Sequence, residues 1–281
     1  MKYFIDSITS IAYWKYVLFS RQGIHSALAI FGALYLFVQA LDFFKIYNED
    51  EYSSWAFLFI LAISIFISII TRRPTSSISV NLPNLDSCVE VRIGNIFEAE
   101  GAVMISTNTN FESDVAGGKI APTSLQGQFT GRYYTGNQNE LIETIDKQLE
   151  GKKAPFPMGT TIPVTTHGKT FYFTAMSNLN DSGNAYTTPQ ELGEALKGLW
   201  GYVKNTGELQ QLAIPLVGTG RGRVILTRRK VVRLIVESFV EASKNGPITD
   251  HLVIAIRPED ASRFKVNLYD VKDHLNHILF G

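Results

Sequence analysis

The chain has 281 residues, 26 basic and 26 acidic side chains and a single cysteine. Balanced charge with scattered Lys and Arg argues against a nucleic-acid binder, which carries a basic face. The lone thiol, Cys88, excludes an intrachain disulfide and a cysteine-rich zinc site and places the soluble part in a reducing compartment.

The first quarter of the chain is strongly apolar. Within residues 1–20, Tyr3, Phe4, Ile8, Ile11, Trp14, Val17 and Leu18 recur at helical spacing. This predicts a short helix lying on the inner membrane surface. Residues 24–44 are almost all apolar or small, and at about 1.5 Å per residue they span a bilayer core. Residues 54–71 form a second, slightly short apolar run, adequate with a modest mismatch. A brief acidic loop joins them: Asn48, Glu49, Asp50 and Glu51. A cleaved signal peptide is disfavoured, because the first run starts late, is long, and is followed at once by a second. Lys2, Lys15 and Arg21 precede the first span and Arg72 and Arg73 follow the second, against Lys45 in the loop. The positive-inside rule then puts both termini in the cytosol, with Tyr52 and Trp55 in an outer aromatic belt. Gln39 and Asp42, three apart, either line an aqueous surface in an oligomer or lie solvated at the outer interface. Ala29, Gly32, Ala33, Ala40, Ser64 and Ser68 are small enough for close helix packing.

Residues 1–73 therefore read as a membrane region and 74–84, rich in turn formers, as a linker. Residues 85–281 read as a cytosolic domain. Strand-like runs fall at 88–93, 102–107, 160–166, 169–175, 212–217 and 252–256. Apolar stripes of helical period run through Leu141, Ile142, Ile145 and Leu149, through Leu192, Ala195, Leu196, Leu199 and Val203, and through Val232, Ile235, Val236, Phe239 and Val240. Further helices are expected at 258–264 and 271–279. His274 and His277 sit three apart in the last of these, without a metal-ligand pattern of carboxylates. The alternation predicts an α/β fold, a sheet between two helical layers, and the apolar runs before it a transmembrane helix hairpin.

The chemistry gathers at strand ends. Ile214-Pro215-Leu216-Val217 runs into Gly218-Thr219-Gly220-Arg221-Gly222-Arg223, with a helix expected from about Leu226. Glycines let a phosphate approach the backbone amides, the helix start offers unpaired N–H groups, and the arginines add charge. The spacing is neither a Walker loop nor the dinucleotide fingerprint. A second turn, Gly94-Asn95-Ile96-Phe97, follows the first domain strand. The next strand ends in Ile105-Ser106-Thr107-Asn108, followed by Asn110; these amides have the donors and acceptors that ribose hydroxyls need, and are also ordinary turn formers. In open α/β sheets ligands gather at the carboxyl ends of strands, which favours one shared cleft.

These motifs, with Met158-Gly159-Thr160-Thr161 between them, occur in the order and spacing of a macro domain, a resemblance covering about residues 88–257. It implies a three-layer α/β/α fold with a mixed sheet and a cleft above it for ADP-ribose or a derivative, with Asn95 near the adenine, Asn108 near the distal ribose, and Gly218 to Gly222 around the diphosphate. The implied contacts extend to Ile96, Thr107, Asn110, Val217 and Arg223. The family's acidic residue is Asn95 here. Its Asn-Ala-Ala-Asn run is Ile105-Ser106-Thr107-Asn108, and its first glycine run is reduced to Gly117-Gly118. The altered first loop speaks against hydrolase activity; Glu112 and Asp114, the nearest carboxylates, read as solvated loop residues.

Ser124-Leu125-Gln126-Gly127-Gln128-Phe129, together with the two-helix anchor, resembles the membrane-bound macro-domain effectors of bacterial type II Thoeris antiphage defence. That resemblance implies that Ser124, Leu125, Gln126 and Gly127 contact the ligand. It further implies a histidine-ADP-ribose-type signal made from NAD by a partner TIR-domain enzyme, homo-oligomerisation, contact with membrane lipid at the bacterial inner membrane, and membrane disruption. No catalytic residue, metal or cofactor is expected. A membrane-tethered ADP-ribosyl hydrolase, and a binding module with a plain anchor, stay open as alternatives.

Overall fold

The computed structural model describes residues 2–46, 49–207, 209–218 and 224–280, with backbone alone at 2 and 49–54. Asn48 and the side chains of Glu49, Asp50, Glu51 and Tyr52 therefore lie outside the described residues. The chain divides into two compact units, Met1–Ser76 with Ser262–His274, and Ser77–Ala261 with Leu275–Gly281.

The first unit opens with two short helices, α1 (Lys2–Ile8) and α2 (Ile11–Phe19), where one surface helix was expected. Ser10 divides them: its side chain accepts the Tyr13 N–H and caps α2. Ser20 then separates α2 from α3 (Arg21–Phe43) in the same way, its hydroxyl accepting the Gly23 N–H at 3.0 Å. A serine oxygen satisfying an orphan helix donor is the ordinary start of a helix. The corner is tight, since a Cβ on Gly23 would lie 2.1 Å from the Val17 carbonyl oxygen. α3 is long and apolar enough to cross a bilayer, with 23 residues, a mean hydropathy of 1.8 and no part of that apolar stretch buried. A core helix of a soluble protein would be covered. α4 (Glu49–Thr71) packs against α3, with Phe31 and Phe57 edge to face at 5.8 Å. Its apolar stretch among the fully described residues, Trp55–Thr71, is shorter. Of the expected pair of spans, one thus meets the length of a bilayer among the described residues. Ser64 and Ser68 are buried, as close packing requires, whereas Gly32 faces open space.

The rest of this unit is the segment 262–274. It contains the first turns of α10 (Leu268–Phe280). A row of tyrosines ties it to the helices: Tyr3 donates to the Val266 carbonyl (3.2 Å), Tyr16 to Asp273 Oδ2 (2.9 Å), and Tyr269 to the carbonyls of Thr71 and Arg73. Tyr13 donates to the Arg72 carbonyl at 2.6 Å, and the Arg72 guanidinium lies 3.7 Å from Asp273.

The second unit is built on a sheet of order β1-β2-β8-β7-β3-β5-β4, with β6 paired to β5. The strands are β1 (Ser77–Asn81), β2 (Cys88–Ile93), β3 (Ala102–Asn108), β4 (Thr161–Thr166), β5 (Lys169–Leu179), β6 (Ala185–Tyr186), β7 (Leu212–Pro215) and β8 (His251–Ile256). β2, β8, β7, β3 and β5 run parallel, while β1 and β4 are antiparallel edges. The expected connector is thus partly a strand. Ile78 and Val80 point inward between outward Ser77, Ser79 and Asn81, an alternation that the turn-forming composition had obscured.

Side chains alternate between the two faces. Val103, Ile105, Phe171 and Phe173 meet Phe129 of α5 (Leu125–Tyr133) and Leu141 and Ile145 of α6 (Gln138–Gln148) in one core. On the other face Tyr172 meets Tyr202 of α7 (Pro189–Thr206), and Trp200 packs on Phe239 of α8 (Arg228–Ser243). α7 starts with a capping box, Thr188 and Glu191, around Pro189. Several boundaries differ from expectation: β5 runs on to Leu179, α10 starts at Leu268, β7 ends at Pro215, and the helix expected from Leu226 begins after Thr227, its cap. α9 (Pro258–Arg263) follows β8.

Candidate functional site

β2, β7 and β3 are parallel members of one sheet, so their carboxyl ends leave at one edge. Each turn is pinned just beyond its strand. Gly94 N–H donates to the Ile256 carbonyl (2.9 Å), Leu216 N–H to Ala255 (3.1 Å), and Thr109 N–H to Ser177 (2.8 Å). The two turns singled out in the sequence therefore share one side of the molecule.

At the first, Asn95 is exposed but its side chain is already engaged. Its Oδ1 accepts the Phe97 N–H (3.2 Å) and its amide nitrogen donates to Glu98 (3.1 Å), capping a single 3₁₀ turn, Ile96–Glu98. Ile96 is buried in the core. Lys169 fixes the far end of this turn, donating to the carbonyls of Phe97 and Ala99. Burial there holds its ammonium below the usual lysine range.

At the end of β3 the roles divide. Asn108, 6% exposed, accepts the Asn110 N–H (3.0 Å) and the Glu112 N–H (3.2 Å) through Oδ1, folding the chain back on itself. Asn110 is exposed. Thr107, 4% exposed, has a hydroxyl with no hydrogen-bond partner. A buried orphan oxygen costs free energy, so it marks a place where a partner belongs. Phe111, at φ 51° and buried against Phe156, completes the reversal.

The next loop is organised by its own carboxylates. Glu112 accepts the Asp114 N–H and the Lys119 ammonium (3.0 Å), and Asp114 Oδ1 accepts the Gly117 N–H at 2.6 Å. A Cβ on Gly117 would sit 2.1 Å from Asp114 Oδ2, so a larger residue there would push this carboxylate off its hold on the loop. Both carboxylates, expected as solvated, are loop staples. The loop leads into α5, a helix that the glycines at 127 and 131 concealed in the sequence. Ser124 caps it, accepting the Gly127 N–H (3.0 Å) and donating to the Ala121 carbonyl (2.7 Å). Gln126 is buried and donates to the Glu112 carbonyl (2.7 Å), while Leu125 packs on the core. Gly127 touches the chain before the helix: a Cβ would lie 2.1 Å from the Ala121 oxygen.

After β7, Val217 is buried and Gly218 turns the chain at φ 71°, a left-handed conformation that suits glycine. Val224 N–H donates back to the Gly218 carbonyl (3.0 Å), so the base of the glycine loop is closed. Thr219, Gly220, Arg221, Gly222 and Arg223 lie outside the described residues.

Sequence reasoning did not anticipate the framework roles of Glu112, Asp114 and Lys119, and read Gly159 only as part of a motif. Gly159, at φ 83°, packs on α7: a Cβ there would lie 2.9 Å from the Gly198 Cα, and one on Gly198 would lie 2.6 Å from the Gly159 oxygen. The signal was available as Gly193, Gly198 and Gly201 within a helical stripe, of which the middle one makes this contact.

Residues 89–257 match the family model described as Thoeris protein ThsA, Macro domain. A Thoeris protein ThsA from Bacillus amyloliquefaciens (strain Y2) is 24% identical over 157 residues, 52% of each chain. The chain thus spans about half the length of the curated relative it matches. Among solved structures, an Oceanobacillus iheyensis macrodomain mutant with ADPR aligns at TM-score 0.50 and 15% identity, covering 70% of this chain and 99% of that one. The same organism's macrodomain with ADP aligns at 0.50 and 14%, covering 71% and 99%. These structures establish the fold, and the family model covers more than half of the chain: it belongs to the family of Thoeris ThsA macro domains.

Proposed function

We propose that the protein is a membrane-anchored sensor that holds an ADP-ribose-type nucleotide at the shared edge of β2, β7 and β3. The carrying observation is the buried, unpartnered Thr107 hydroxyl near the carboxyl end of β3, the strand next to β7 with its closed glycine-loop base, on the same edge of the sheet as the Asn95 turn. Asn95 and Asn108 spend side-chain oxygens on backbone amides, so in this reading recognition draws on their remaining groups and on the glycine-loop backbone. A partner TIR-domain enzyme would supply the signal from NAD, in keeping with the Thoeris family. The N-terminal helices would then act as a two-span anchor with both termini cytosolic, and nucleotide-driven oligomerisation would disrupt the membrane. A ligand drives such a change only by binding one state better than the other.

Sensing is favoured over hydrolysis by the engagement of Glu112 and Asp114 in holding their loop. Full-length protein in lipid nanodiscs, titrated calorimetrically with ADP-ribose, its histidine conjugate and AMP, tests the reading. Binding of the first two without turnover is expected. Equal binding of all three, or release of free ADP-ribose from the conjugate, refutes it. Dye release from vesicles with and without the bound nucleotide tests the membrane step.

A further inference from the structure

α1 and α2 turn one face toward the protein and another away from it. Tyr3, Ser7, Tyr13 and Val17 are buried, and the hydroxyls of Tyr3 and Tyr13 are bonded to carbonyls within the first unit. The opposite face is also apolar: Ile5 is 58% exposed, Ile8 54%, Ile11 85% and Phe19 71%. On it lies a groove of about 560 Å³ lined by Thr9, Ile11, Trp14, Lys15, Leu18 and Phe19. Helices that are apolar on both sides do not stay in water; the second side needs its own partner.

The geometry points to a phospholipid as that partner, with acyl chains in the groove and an anionic phosphate at Lys15. Three observations choose lipid. Phe19 is separated from α3, the bilayer-length helix, by Ser20 alone, so the groove begins within one residue of the span. The corner is tight, because Gly23 admits the Val17 carbonyl where any side chain would block it, which keeps the end of α2 close against the start of α3. The groove's single charged side chain, Lys15, is exposed, and an aliphatic stem with a cationic head suits the chain-to-headgroup boundary. α1 and α2 thus form a lipid-filled shelf at the foot of the span, and the tyrosine row fastens that shelf to segment 262–274.

This inference rests on the membrane-anchored reading, and the test separates the two. The full chain carrying Cys88→Ser and Ile11→Cys is labelled with an environment-sensitive fluorophore and reconstituted in vesicles of neutral or partly anionic phosphatidylglycerol-containing lipid. Ile11 is 85% exposed, so the substitution leaves packing intact. Lipids brominated near the headgroup end of the acyl chain should quench the probe. Replacing Lys15 by Gln should lower the preference for anionic vesicles about fivefold. As a second reading, tryptophan quenching by the same lipids should shrink in Trp14→Phe. A probe quenched equally by aqueous iodide with and without vesicles, in protein that resists alkaline extraction, overturns the shelf and leaves the anchor standing. Protein removed by alkaline extraction overturns both.

Discussion

Gly127 and Gly131 lie one turn apart on α5, which makes them a controlled pair. Replacing glycine by alanine inside a helix normally stabilises by about 1 kcal/mol, because the backbone has less freedom to lose. Gly131 is exposed, and a Cβ there meets nothing within 4 Å. Gly131→Ala should therefore gain up to about 1 kcal/mol, or a rise of about 2–4 °C in a domain of this size. Gly127 has the same backbone and the opposite surroundings. Its Cβ would lie 2.1 Å from the Ala121 oxygen and 2.8 Å from the Pro122 Cα, both main-chain atoms, so the strand of chain entering the helix must retreat by more than an ångström. Overpacking of this kind costs about 1–3 kcal/mol, which outweighs the helix gain.

The displaced segment carries Ser124, whose hydroxyl closes the turn between Ala121 and Gly127. Gly127→Ala should thus lower both the melting temperature and the affinity for ADP-ribose, whereas Gly131→Ala should leave affinity unchanged. Scanning fluorimetry and calorimetric titration on the same preparations measure both. If Gly127→Ala is as stable as Gly131→Ala and binds nucleotide as well as the parent, the close approach is not what shapes this edge of the site.

Gly198→Ala should destabilise by about 1–3 kcal/mol for the same reason, since its Cβ meets the Gly159 backbone, and Gly201→Ala, which meets nothing, serves as its control in thermal unfolding. Thr107→Val keeps the shape and removes the orphan hydroxyl; stability should hold or rise while nucleotide affinity falls, and unchanged affinity in a titration would show that the hydroxyl faces no ligand. Glu90 is pushed up by burial, but its hydrogen bond and ion pair with Arg92, together with His251 and Ser77, outweigh this and hold its carboxyl below the usual range. Its contribution is therefore present above the ordinary glutamate value of about 4.3 and is lost as pH falls through the depressed one. The melting-temperature gap between the parent and Glu90→Gln should be full at neutral pH and close in acid.

Periodicity carried most of the fold. Strands 88–93 and 102–107 were readable as short, nearly continuous apolar runs that the sheet buries on both faces, and the stripes of α6, α7 and α8 because burial repeats every third or fourth residue. What escaped was held together by contacts remote in sequence. β1 is a polar edge strand whose two buried residues gain meaning only against β2. α5 has two glycines that lower its helical propensity, and it persists because Phe129 fills the space between Phe171 and Phe173.

The site was readable at the level of residue type and misread at the level of role. Asn95, Asn108 and Ser124 carry groups that could meet a nucleotide, and the sequence offers no way to see that each first satisfies a backbone amide two to four residues ahead. The same short polar side chains serve turns and ligands because both present N–H groups at close range. Where such a side chain is committed to the fold, substituting it removes the shape of the site together with any contact it makes. Loss of binding in an alanine variant of Asn95 or Asn108 therefore cannot separate the two roles. Thr107 can, since its hydroxyl holds nothing in the structure. A nucleotide pocket at this edge should accordingly be most sensitive, at constant stability, to a polar atom that, like the Thr107 hydroxyl, the fold does not use.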